Sequence, residues 1–177
     1  MKKLIPHHKN EGKNLDILAS WLINKDSIEF TIAVNDYDSS NINKEFSLTS
    51  WNNEGLWNYD VVEIFISRAN KTPYLEIQSS PINQKFALII NIPRIDFKSP
   101  EILRSKVDIT SKNPWVTVIN IPICDIPGSG NILYGNCFSC LGSAKKRQYY
   151  ALNINDGESA DFHKPELFVK LGEIIER

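Results

Sequence analysis

Two glutamates stand where strong strands rarely carry charge. Glu63 falls inside VVEIFI and Glu76 inside YLEIQ, both within residues 55–80. Side chains alternate along a strand with a period of two, so Val61, Glu63 and Phe65 share one face and Val62, Ile64 and Ile66 the other. In the next run Tyr74, Glu76 and Gln78 oppose Leu75, Ile77 and Ser79. A carboxylate in such a strand is disfavoured unless it meets water, a counter-charge or a ligand. With Trp57 and Tyr74 nearby, the spacing predicts a polar groove with aromatic edges. Such a groove suits a sugar: a ring stacks on the apolar C–H face while carboxylates and amides take the hydroxyls.

Two other readings of the same glutamates stay open. Either could pair structurally with Arg68, Arg94 or a lysine on the sheet face. The two could also be a glycosidase pair, which needs carboxylates about 5–10 Å apart with one pKa raised.

The elements that must position these residues are strands. Candidate runs lie at 15–23, 27–35, 60–67, 74–79, 86–92, 115–121, 133–140, 148–154 and 167–174, and the first could instead be a short helix. Turn chemistry fills 35–41, 68–73, 79–85, 127–131 and 155–161. Residues 93–114 are the longest stretch without a clear element, with room for a strand near 106–109. Close spacing of roughly nine to eleven short strands with little helix predicts an all-β antiparallel sandwich of jelly-roll or immunoglobulin-like type. The expected organisation is a flexible N-terminal segment, 1–14, followed by one sandwich domain, 15–177.

Composition narrows the partners. Lysine and arginine total 20 against 21 acidic residues, without the concentrated basic face that nucleic acid or an anionic membrane needs. The short cluster Lys145, Lys146 and Arg147 is expected to be a solvated hairpin tip. No apolar run approaches the ~20 residues of a membrane span. The opening residues hold two lysines but no apolar stretch of ~7–15 residues, and the cysteines are three. Together these predict free thiols and a cytoplasmic protein.

Catalytic and metal signatures are absent. The histidines are His7, His8 and His163, and no nucleophile elbow, HExxH helix or phosphate loop accompanies them. Cys137 and Cys140 lie three apart on a predicted strand, on opposite faces, so they neither bridge nor chelate easily. Asp36, Asp38 and Asp60 could offer oxygens to calcium, but turn formation explains them as well. Of the tryptophans, Trp115 and Trp21 read as core, whereas Trp51 and Trp57 flank a loop. The expectation is a non-catalytic protein with no cofactor and no metal.

The ordered motifs resemble a known family. GLWNYDVVEIFISR followed by YLEIQSSPINQKF is similar to the LW, VE-x-F, Y-x-E and S-P-x-G series of family 9 carbohydrate-binding modules and their DOMON-like bacterial relatives. WVTVINIPI, LYGNCFSC and YYALNINDGESADFHKPELFVKL resemble its later segments, so the likeness runs from about Gly55 to Leu171. The resemblance implies a bacterial β-sandwich that holds sugar between two tryptophans, with acids and amides below. Trp57 matches the first tryptophan and Glu63 the acid of VE-x-F. Where the second tryptophan belongs, either Tyr150 or Leu152 stands, depending on alignment. Asn83 replaces the turn glycine, and Phe162 and His163 match the D-F-H motif. A haem role, known among DOMON relatives, would need methionine or histidine ligands, yet the single methionine is Met1.

The predicted carbohydrate site is Trp57, Glu63, Tyr74, Glu76, Gln78 and Tyr150. The alternative is a protein-interaction sandwich that has lost sugar binding, with its glutamates paired to cations.

Overall fold

Apolar alternation in the chain resolves into two antiparallel sheets. The computed structural model describes residues 1–38, 41–69 and 71–174, apart from the side chain of Lys145. The predicted turns at 35–41 and 68–73 thus include Ser39, Ser40 and Asn70, which lie outside the described residues. One sheet is built from β1 (Lys2–Lys3), β3 (Ile17–Ile23), β4 (Ser27–Val34), β10 (Trp115–Pro122) and β9 (Lys106–Lys112), in that spatial order. The other runs β2 (Ile5–Pro6), β12 (Gln148–Ala151), β11 (Ile132–Leu141), β5 (Val61–Ser67), β6 (Tyr74–Ser79), β7 (Lys85–Ile92) and β8 (Asp96–Lys98). A final strand, β13 (Val169–Glu173), pairs with the first half of β11 on the same side that β12 pairs with its second half. The first predicted run is a strand, not a helix, and the all-β sandwich stands.

Inward-facing residues of the two sheets meet in one core. Ile17, Phe30, Ile32, Trp115 and Ile119 from the smaller sheet pack with Val62, Ile64, Ile66, Leu75 and Ile77 from the larger. Burial of this kind is the main stabilising term, about 25 cal/mol per Å² of apolar surface. Yet β5 and β6 are buried along their whole length, not only on alternate residues. Their second face is covered too. Phe162 and Phe168, from the segment after β12, pack over Phe65 and Phe138, and Phe46 packs near Leu56 and Val61. This double burial is why Glu63 and Glu76 have so little contact with water.

Small motifs hold the framework. Asn83 takes φ 67 in the turn between β6 and β7, the left-handed conformation that glycine or asparagine adopts most readily. At Gly135 an added Cβ would strike the Phe65 carbonyl, so β11 can carry no side chain there. Asn136 beside it donates to the Asn153 carbonyl at 2.6 Å and accepts from the Cys137 and Asn153 amides, tying β11 to the chain beyond β12.

The N-terminal segment departs from expectation. Residues 1–14 were predicted flexible, but Lys2–Lys3 pairs with β3 and Ile5–Pro6 pairs with β12. Leu4, between these two pairings, is fully buried in the core, and His7 is buried too. A segment with one large apolar anchor escaped a reading that relied on runs of five or more apolar residues. Leu4→Ala should lower stability by about 2–5 kcal/mol in urea unfolding, as for other buried leucine truncations. An unchanged midpoint would mean that the segment does not pack.

Candidate functional site

Register places the polar floor. Glu63 lies opposite Gln78, and Phe65 opposite Glu76, in the β5–β6 ladder. Across the next ladders Gln78 faces Phe86, Glu76 faces Leu88, and Glu63 faces Phe138. Cys140 continues the outer face toward Tyr149. Glu63, Glu76 and Gln78 thus form one polar island on the outer face of the larger sheet, ringed by apolar side chains. They line an open groove of about 610 Å³, together with Trp57, Tyr149 and Phe162.

Trp57 is set at the rim by a short turn. Gly55, at φ 88, starts a 3-10 turn over Leu56–Asn58, whose Leu56 is fully buried and anchors it. The indole stays 40% exposed and rests 5.3 Å from the Phe86 ring. Arg147 clamps this turn to the β11–β12 connection, donating to the carbonyls of Trp57, Asn58, Tyr59 and Gly142. Asp60 fastens the same junction, accepting from the Gly142 amide at 2.6 Å, the Tyr37 hydroxyl at 2.8 Å and the Asn41 amide at 3.2 Å. Asp60, one of three aspartates that could also have offered oxygens to calcium, spends its carboxylate on these hydrogen bonds. Arg147, expected at a solvated tip, is instead a structural clasp. Its neighbour Lys145 has a side chain outside the described residues.

The opposite wall comes from the segment after β12. Phe162 stacks on Phe138 at 4.2 Å and 20°, and Tyr149 meets Phe162 nearly edge-on. His163 shares a 2.7 Å hydrogen bond with the Tyr74 hydroxyl through Nδ1. Arg94, at the groove edge, pairs with Asp161 at 2.7 Å. Burial, and then the Arg94 charge, lower the pKa of His163.

Electrostatically the floor is unusual. Burial, reinforced by the Glu76 charge, raises the Glu63 pKa to about 8, with Arg147 and then Cys140 opposing. Burial likewise raises Glu76 to about 7 against the hydrogen bond from Gln78. Among the described residues neither glutamate has a salt bridge. Arg94 is engaged with Asp161, and Arg68 donates to the Gly130 carbonyl. The ion pairs that a purely structural reading requires are therefore not formed.

The structure gathers four of the six predicted residues, Trp57, Glu63, Glu76 and Gln78, around one groove. Tyr74 shares their face but lies fully buried beneath His163 and Phe168, stacked 5.4 Å from Phe65. Tyr150 does not reach the groove. It points into the core between the sheets, where its hydroxyl accepts from the Leu15 amide and donates to Gln148. Leu152 packs against that core too. The reason is parity: on β12 the outward side chains are the odd-numbered ones, so Tyr149 is the aromatic at the groove. Adjacent tyrosines in YYAL hide this choice until the register is known. Arg147 and Arg94 were missed as site residues because only the folded chain brings them to the rim.

No family model matches the chain. Solved structures do. A candidate carbohydrate-binding protein from Bacteroides uniformis superposes over 96% of this chain and 85% of its own, with a TM-score of 0.70 at 13% identity. The fold is that of carbohydrate-binding modules. Family 9 modules from Caldicellulosiruptor kristjanssonii, in complex with glucose and with cellotriose, give TM-scores of 0.60 and 0.61 at 13% and 14% identity. They align over 94% and 96% of this chain and 82% and 80% of theirs. In sequence, the UPF0462 protein C4orf33 homologs of Rattus norvegicus and Mus musculus are 31% and 32% identical over 119 residues, and the Homo sapiens protein 29%. Each match covers 64% of this chain, which spans about 58–60% of those relatives.

These likenesses correct three expectations. The sequence relatives are animal proteins, which conflicts with a bacterial kinship. The DOMON-like part of the resemblance has no counterpart among the proteins named here. The cytoplasmic assignment is withdrawn, because neither the animal relatives nor neighbours of carbohydrate-binding-module type support it.

The raised carboxyl pKa values carry a consequence for stability. Relative to the ordinary 4.5, the folded chain holds extra protons on both glutamates. Their contribution is full below about pH 4.5 and is lost as pH rises through about 7 to 8. The urea midpoint should fall between about pH 5.5 and 8.5. Replacing both by glutamine (Glu63→Gln with Glu76→Gln) should flatten that decline. Equal slopes in the two proteins would contradict the shifts.

Proposed function

We propose that the outer groove binds a saccharide and does not transform it. The observation that carries this reading is the polar floor: two recessed glutamates that have no salt bridge among the described residues, beside Gln78, open to a groove walled by aromatic rings. Trp57 offers a partly exposed ring for the C–H face of a pyranose, and Tyr149 and Phe162 offer aromatic surface on the other wall. The glutamates and Gln78 can accept hydrogen bonds from sugar hydroxyls above them. Support comes also from the fold neighbours, among them family 9 modules solved with glucose and cellotriose.

A glycosidase reading fits the arrangement less well. Acid and base or nucleophile must flank the scissile bond. Here both glutamates rise from adjacent strands of one sheet face and would meet a ligand from the same side. The interaction-domain alternative calls for glutamates paired to cations, which the described residues do not provide.

A site with one or two stacked rings implies micromolar to millimolar binding, roughly −4 to −8 kcal/mol. Trp57→Ala should abolish any sugar-dependent quench of intrinsic fluorescence and leave the thermal melt nearly intact. A collapsed melt would make Trp57 structural and remove the platform. Tyr149→Ala should weaken binding about tenfold, whereas Tyr150→Phe should leave affinity unchanged. The reverse order would place the second aromatic on the wrong side of β12.

A further inference from the structure

The donors and acceptors of the groove floor are out of balance. Glu76 Oε1 accepts from Gln78 Nε2 at 2.6 Å, but Glu76 Oε2 and Gln78 Oε1 are buried and receive no hydrogen bond from the described residues. Among the described residues, Glu63 Oε1 has only the weak thiol of Cys140, at 3.9 Å. Acceptors are therefore in surplus. The two arginines that line the groove are already engaged: Arg147 with four backbone carbonyls and Arg94 with Asp161. A ligand for this floor must bring donors.

A neutral hydroxyl brings one donor along with two acceptor lone pairs, whereas an ammonium brings three donors and no acceptor. It also brings the positive charge that Glu63 and Glu76 lack, and charge-assisted hydrogen bonds are roughly twice as strong as neutral ones. The groove's aromatic rings favour a cation as well. They equally need a ligand with an apolar ring face to stack.

We propose that the preferred ligand class is an amino sugar, its ring stacked on Trp57 and its ammonium seated on the Glu63, Glu76 and Gln78 acceptors. This inference rests on the saccharide reading and sharpens it. Without ligand, burial favours keeping a proton on the glutamate pair, and the ammonium takes over that proton's role.

Calorimetric titration of the full chain with glucosamine, glucose and N-acetylglucosamine at about pH 7, where much of the free amine is ammonium, tests it. Glucosamine should bind at least about tenfold more tightly than the two neutral sugars. Glu76→Gln should bring that ratio to within about twofold, and Glu63→Gln should reduce it as well, with thermal melts checking that each variant folds. Glucose binding as tightly as glucosamine would overturn the inference and leave the saccharide reading standing. No binding by any of the three would overturn both. A preference for glucosamine that survives both substitutions would place the ammonium elsewhere and overturn the assignment.

Discussion

The structure turns on the burial of two carboxylates that form no salt bridge among the described residues. Glu63 and Glu76 are each 3% exposed on the outer face of the central strands. Leaving charge in such a place is costly, and the groups answer by holding protons near neutral pH. Much of the surrounding architecture maintains this condition. The aromatic segment over Phe65 and Phe138 limits access to water, and the Arg147 clasp fixes the opposite wall. A fold selected for stability alone would gain by placing leucine at either position. Keeping the glutamates makes sense if something else completes their hydrogen bonds.

Completion from outside also explains how the walls are built. The Arg147 charge acts on Glu63, yet its guanidinium is turned onto backbone carbonyls of the Trp57 turn. Arg94 is held by Asp161, and His163 by Tyr74. Side chains that could have neutralised the floor hold the groove's edges in shape instead. Positioning of this kind lowers the ordering cost of binding, because the rings and acceptors are fixed before a ligand arrives.

Much of this was legible in the sequence, for physical reasons that also mark where reading stopped. Period-two alternation around Glu63 and Glu76 was strong enough to give both the strands and their shared face, and β-branched runs such as VVEIFI left little choice of element. Leu4 and the short strands beside it were not legible, because one buried side chain makes no pattern. The expectation of Tyr150 at the groove had no check in the sequence, since neighbouring tyrosines satisfy either parity and only the pairing of Cys140 with Tyr149 settles the register. Arg147 lay hidden for another reason: a basic tripeptide in a turn looks solvated, and three of its four acceptors, the carbonyls of Trp57, Asn58 and Tyr59, come from a segment far along the chain.

The most direct measurement is a carbon-detected NMR titration of the Glu63 and Glu76 carboxyl groups, with and without saccharide. The account predicts midpoints well above the ordinary carboxylate value for both glutamates, displaced by saturating sugar. Ordinary midpoints for both glutamates, indifferent to every sugar added, would contradict it.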